Sequence, residues 1–411
     1  MNTFNERQYD RWLLFATLLL VGFGALMVYS STSVVTPVFA RRNITQFYYF
    51  RRHLFTILIG LSFLYLSSKI GADTLKKMAV PLLIFSLVLL VLVFVPKIGI
   101  TAGGARRWIR LWPSTFQPSE LVKLAMVIFL ARYMSQPTYR TDSVLSFIIP
   151  IAVMGVFQVV FLKQPDFGAA MSLGLITVIL LVLSGMRLKY VMSLALLIIP
   201  VSLKLVMEPY RFRRILSFLN PWDDSLGGGF QLIQSFIALG SGGFSGVGLG
   251  ESKQKLSFLP ESHTDFIFSL VGEELGFIGA AALVCFFLFQ FIRGMQIANR
   301  AKDDPFSYYL ASGLSMMIAL QALINFAVAT GLAPTKGLPL PFVSYGGSAL
   351  LVNLVAIGIL LNVSKGKRER KSVDRTEGII RRKKAFMSVY GRKRAVTEGV
   401  ASADQARRVA G

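Results

Sequence analysis

Apolar residues run through this chain in blocks of about 17 to 25, the length a helix needs to cross a bilayer. The blocks fall at roughly 12–32, 53–70, 78–96, 118–135, 144–162, 167–186, 190–207, 265–292, 307–330 and 345–364. They predict an all-α polytopic membrane protein of ten transmembrane helices, because a membrane barrel would show short alternating strands instead. The first block is long and has no small-residue cleavage pattern behind it, so it reads as a retained helix and not a signal peptide. An even number of crossings leaves both termini on one side. The expected organisation is a short N-terminus 1–11, a membrane domain 12–364 that includes a long outer loop 208–264 between the seventh and eighth helices, and a tail 365–411.

Composition agrees with the pattern. Of 411 residues, 54% are hydrophobic, far more than one soluble core would need. A single cysteine, Cys285, and two histidines, His53 and His263, exclude a disulfide framework and a zinc cluster. A net charge of +23 is compatible with a nucleic-acid partner, but its distribution argues against that reading. From Lys365 onward the tail holds 15 Lys and Arg against 5 Asp and Glu, which places it on the anionic cytoplasmic leaflet and both termini in the cytoplasm. Its last residues, 401–411, are small and polar enough to be disordered.

Elsewhere the outer segments carry more Lys and Arg than the inner ones, 15 against 12, and those charges need a reason. They cluster at Arg41, Arg42, Arg51 and Arg52, at Arg106, Arg107 and Arg110, and at Arg211, Arg213 and Arg214. Anchoring to lipid head groups is one explanation. A site for a phosphate-bearing lipid is the other, since the planar guanidinium donates paired hydrogen bonds to two oxygens. The glycines of the long loop are not a nucleotide-binding loop, because no strand precedes them and no Lys-Ser/Thr pair follows. Phe230, Leu232, Ile233, Phe236 and Ile237 mark amphipathic segments lying at the interface.

The chain is organised around residues 248–276, where the glycine-rich loop passes into a membrane helix. Asp265 stands at the water-facing mouth of that helix and is the candidate for chemistry. Taken alone, Thr264 and Asp265 are equally good capping residues. Glu120 and Lys123, three apart on one helix face, can pair within the bilayer, as a structural lock or as part of a site. Asp166, in KQPDFG, reads as a helix cap. At least one of Glu273 and Glu274 must point into the bundle, where it could meet Lys123, Lys204 or Lys336. His263 is either a base or a solvated loop residue. No serine, histidine and acid stand at triad spacing. The segment 331–348 is broken by prolines and glycines, which at membrane depth requires burial in protein or a wet cavity. A transporter would look similar, so a flippase competes with an enzyme here.

Six runs then carry a resemblance: GGARRWIRL at 103–111, FQPSELVKL at 116–124, KQPDFG at 163–168, the loop 218–243, the run 246–276, and PTKGLPLPFVSYGGS at 334–348. On these, across about 12–365, the chain resembles the SEDS family of bacterial membrane proteins (shape, elongation, division and sporulation), most closely its division branch. Elongation and sporulation paralogues are the nearest alternatives. The resemblance implies a ten-helix fold and a peptidoglycan glycosyltransferase that polymerises lipid II at the outer face of the cytoplasmic membrane. It puts the catalytic role on Asp265 and functional roles on Trp108, Glu120, Lys123 and Lys336. With these, the substrate-contacting set is Trp108, Arg106, Arg107, Arg211, Arg213, Lys336, Ser344 and His263. Glu120, Lys123, Asp166, Glu273 and Glu274 are cavity-lining or structural. A class B penicillin-binding protein and other divisome proteins are the implied partners. No metal-ligand set can be read from spacing; magnesium or manganese held with Asp265 or Glu261 stays open.

Overall fold

The computed structural model describes residues 9–32, 47–102, 105–111, 114–207, 216–255, 264–335 and 337–366. The chain divides into Met1–Ser364 and Lys365–Gly411, and nearly all of the second unit lies outside the described residues. Arg41, Arg42, Arg211, Arg213, Arg214, Glu261, His263 and Lys336 lie outside them too, as does the tail's polar end.

Helices occupy all ten apolar blocks. They are α1 (Arg11–Thr32), α2 (Tyr48–Ser67), α3 (Ala72–Leu92), α4 (Pro118–Met134), α5 (Val144–Lys163), α6 (Phe167–Leu183) and α7 (Leu188–Val206). After the long loop, whose own helix α8 spans Phe230–Gly242, come α9 (Ile267–Arg300), α10 (Pro305–Ala329) and α11 (Gly347–Ser364). Six of these, α1, α3, α5, α9, α10 and α11, are long and apolar enough to cross a membrane. The others are shorter or more charged: α6 has 17 residues, and α4, also 17, carries Glu120, Lys123 and Arg132.

Burial explains why α4 can carry those charges. It is wrapped by α3, α6, α10 and α11 and buries residues all round, whereas α3 and α5 turn apolar side chains such as Ile84, Phe85, Leu145 and Ile148 outward. Exposed apolar faces of that kind suit lipid, and charge belongs inside the bundle. Because lipid tails are as apolar as leucine, interhelical hydrogen bonds help to hold such a bundle together. Asn362 of α11 donates to the Ser68 carbonyl at 2.9 Å, and Gln290 of α9 donates to Thr17 of α1 at 3.1 Å. Gln164 donates to the Leu90 carbonyl at 2.8 Å, tying α5 to α3.

Two features depart from the expected all-helical pattern. Three short strands, β1 (Gly99–Ala102), β2 (Ala105–Leu111) and β3 (Ser114–Phe116), form a small antiparallel sheet in the order β1-β2-β3. Its sequence signal is the Gly103-Gly104 pair between short runs in which Ala105 and Ile109 are buried and Arg106 and Arg110 exposed. The second departure is in α9. The expected continuous span 265–292 is broken at Gly276, whose backbone (φ 66°, ψ −166°) is not helical and favours glycine. A short half-helix, 267–275, therefore precedes the long one, 277–300. The apolar run continues through the break, so periodicity alone does not reveal it.

The long loop folds back on this break. Rather than lying only at an interface, α8 buries Leu232, Ile233 and Ala238 and packs on the half-helix. Ser235 shares a 2.5 Å hydrogen bond with Ser269 and donates to the Ala329 carbonyl at 2.7 Å.

Candidate functional site

One end of the bundle gathers the starts of α4, α6 and α11, the half-helix of α9 and the broken segment 331–346. Pro118 opens α4 with the fixed φ that a first helical turn needs. Asp166 caps α6 by accepting from the Ala169 amide at 3.2 Å, and it also accepts from Gln117 at 3.3 Å. Ser348 at the start of α11 accepts from the Gln117 amide at 2.8 Å and donates to the Thr115 carbonyl at 3.4 Å, which moors the sheet to the bundle.

Asp265 is half-buried just before α9. The N-cap position falls one residue later, on Phe266, so the capping expectation for Asp265 does not describe this helix start. Backbone of the segment 337–340 lies close to Asp265. A Cβ added at Gly337 would lie 3.0 Å from Asp265 Oδ2, so the carboxylate rests against a residue with no side chain. Asn325 of α10, almost fully buried, uses one amide nitrogen twice, donating at 2.8 Å to the Asp265 carbonyl and at 2.8 Å to the Leu338 carbonyl. Ser344 donates to the Thr264 carbonyl at 2.5 Å and accepts from the Leu340 amide at 2.8 Å. It is buried, and its hydroxyl ties the two segments together.

A second set of bonds runs inward from the same segment. Gln321, one turn from Asn325, donates to the Pro339 carbonyl at 3.0 Å and accepts from Lys123 at 3.4 Å. Lys123 pairs with Glu120 at 2.8 Å, both buried. The ion pair expected from their spacing thus exists, and its lysine also supports the segment beside Asp265. Such a pair survives in a bilayer only where hydrogen bonds complete it. Gln321 and Asn325 were not singled out from the sequence, although their spacing of four on an apolar helix places them on one face.

The arginine-rich strand lies at this end too. Arg107, half-buried, donates to the Pro165 carbonyl and pins the sheet to the turn before α6. Arg106 is exposed and donates to Thr101 at 3.1 Å, and Trp108 is half-buried opposite Ile100. A Cβ added at Gly168 would lie 3.4 Å from the Leu338 side chain, so the turn after Asp166 and the Gly337–Asp265 contact are neighbours. Glu273 and Glu274 are both buried, and their described partners are on the loop 252–255 and on α1; Lys123 pairs with Glu120 instead, and Lys336 lies outside the described residues. Among the described residues no three His, Cys, Asp or Glu gather as a metal site.

Two substitutions follow from this geometry. Gly337→Ala forces its methyl or the Asp265 carboxylate to shift and should lower turnover about 10- to 100-fold with little change in melting temperature. Wild-type turnover in the folded variant would contradict that placement. Asn325→Leu leaves two carbonyls without their donor, and a loss of about 1–3 kcal/mol per carbonyl should show as a lower thermal midpoint.

The FtsW/RodA/SpoVE family, described as cell cycle protein, matches residues 11–369. A probable peptidoglycan glycosyltransferase FtsW of Geobacter sulfurreducens is 43% identical over 366 residues, covering 89% of this chain and 97% of that one. Its counterpart from Coxiella burnetii is 41% identical over 360 residues, 87% of this chain and 96% of that one. Among solved structures, a chain of a peptidoglycan synthase complex that coordinates polymerization and crosslinking aligns with a TM-score of 0.71 at 30% identity, covering 88% and 99% of the two chains. The rod shape determining protein RodA of Thermus thermophilus aligns with a TM-score of 0.62 at 27% identity, covering 88% and 98%.

Proposed function

Because the chain belongs to the FtsW/RodA/SpoVE family of cell cycle proteins, we propose that it polymerises lipid II into glycan strands with Asp265 as the general base. It is a multi-pass membrane protein and a peptidoglycan glycosyltransferase of the FtsW kind, serving cell division. The observation that carries the role of Asp265 is its carboxylate, half-buried against the bare backbone of Gly337, on a segment held by Asn325 and Ser344.

A sugar hydroxyl is a poor nucleophile until its proton is taken in the transition state. Asp265 accepts the proton of the acceptor's GlcNAc 4-hydroxyl as that oxygen bonds to the donor's MurNAc anomeric carbon. The bond from that carbon to the pyrophosphate breaks, its electron pair leaves with undecaprenyl pyrophosphate, and the anomeric configuration inverts. Positively charged side chains held against the leaving group's increasingly negative oxygens supply the remaining stabilisation. Arg106, Arg211 and Arg213 are the residues for it, and Lys336 and His263 complete the substrate contacts beside Trp108.

In the membrane, all ten long blocks cross, the loop 208–264 lies outside, and residues 1–11 and the tail 365–411 lie in the cytoplasm. The chain works at the septum with a class B penicillin-binding protein and other divisome proteins. The peptidoglycan synthase complex among its structural neighbours supports such a partner.

The break at Gly276 and the segment 331–346 favour one competing reading, a lipid II flippase. Purified protein in liposomes with fluorescent lipid II separates the two. Glycan strands are the expected product. Transbilayer movement of lipid II with no polymer, even with the class B partner present, would replace the enzyme reading with the transporter.

A further inference from the structure

The mechanism above uses neither Glu273 nor Glu274, yet both are buried at the far end of the half-helix that begins beside Asp265. The break at Gly276 leaves the last carbonyls of that half-helix without partners of their own. The loop supplies them: the Val247 amide donates to the Glu273 carbonyl at 3.0 Å and the Gly248 amide to the Glu274 carbonyl at 3.1 Å. The contact is close, since a Cβ on Gly246 would lie 2.2 Å from the Glu274 carbonyl oxygen.

Side chains then lock the seam. Glu273 accepts from the Ser252 hydroxyl and from the Lys253 amide at 2.9 Å. Glu274 Oε1 accepts from Ser30, near the end of α1, at 2.6 Å and faces Lys255 Nζ at 3.5 Å. Lys255 Nζ also donates to the Gly250 carbonyl and lies 3.5 Å from the Ser30 hydroxyl. The second oxygen of Glu274 is buried without a hydrogen-bond partner among the described residues, so Lys255 is the charge that compensates this carboxylate.

Nine residues are too few to hold a helix by themselves. The half-helix is therefore fixed by its surroundings: α8 along its length, Asn325 and Ser344 at the end beside Asp265, and this buried cluster at Glu273 and Glu274. We infer that the Lys255–Glu274 pair, with Ser30, is a positioning device that sets the place of Asp265 by anchoring the half-helix to both α1 and the loop, without touching substrate. This rests on the reading of Asp265 as general base.

A misplacement of about 1 Å from a change remote from the chemistry can slow a reaction about 100-fold. Glu274→Gln and Lys255→Met, in the full-length protein with its class B partner, should lower kcat about 10- to 100-fold while KM for lipid II stays within about twofold. Ser30→Ala removes one hydroxyl and should give a smaller loss of the same kind. Normal kcat in folded Glu274→Gln, or a raised KM with normal kcat, would overturn the inference. The first outcome would mean a merely structural pair, visible as a lower melting temperature alone. If the charged-pair variants do not fold, Ser30→Ala decides: reduced kcat at constant KM supports the inference and wild-type kcat removes it. Asp265→Asn run alongside separates the two readings. Polymer from that variant defeats the general base, whereas an inactive Asp265→Asn beside a fully active Glu274→Gln defeats only the positioning role.

Discussion

Asp265→Asn yields a folded, lipid II-binding protein whose polymerisation falls about 100- to 10,000-fold, the range a positioned general base contributes. The substitution keeps the shape of the side chain and removes its capacity to take a proton. Asn325 and Ser344 donate to the backbone carbonyls of residues 265 and 264, so both keep their acceptors in the variant. Loss of kcat with retained affinity, measured under single-turnover conditions on bound lipid II, is the signature expected of a group that acts only in the transition state. Equal turnover in the two proteins would mean that Asp265 takes no proton.

The second large effect is on stability. Glu120→Gln strands the Lys123 ammonium in the middle of the bundle, and breaking one partner of a buried pair costs about 3–5 kcal/mol. The double substitution Glu120→Leu with Lys123→Met removes both charges and should recover most of that loss, because buried pairs replaced by apolar residues are often neutral. Activity should not return with stability. Lys123 also donates to Gln321, whose amide holds the Pro339 carbonyl beside the Asp265 segment. Thermal unfolding followed by fluorescence, set against polymer yield per folded molecule, tests both halves. Full activity in the stable double variant would show that the pair is only a structural lock.

Much of this was legible in the sequence because a bilayer imposes a length and a composition that few other environments do. Each apolar block holds a helix, and the spacing of Glu120 and Lys123 gave their pairing directly. Asp166 reads as a cap and is one. What sequence periodicity does not carry is interruption and tertiary return. The break at Gly276 sits inside an unbroken apolar run, so nothing marks it except one glycine among many. Lys255 reaches Glu274 only because the loop folds back over that break, and no spacing rule links residues 19 apart. Ser344 and Arg107 make hydrogen bonds that tie backbone segments together, and no spacing in the sequence marks those partners. Residue type fixes what a side chain can bond to, and packing decides which partner it meets.

The measurement that bears most directly on the proposed function is lipid II polymerisation by purified protein with its class B partner, comparing wild type with Asp265→Asn in the same liposomes. Glycan strands from wild type and none from the variant, with equal lipid II binding, are expected. Strands from both would remove Asp265 as the base, and strands from neither would remove polymerisation itself.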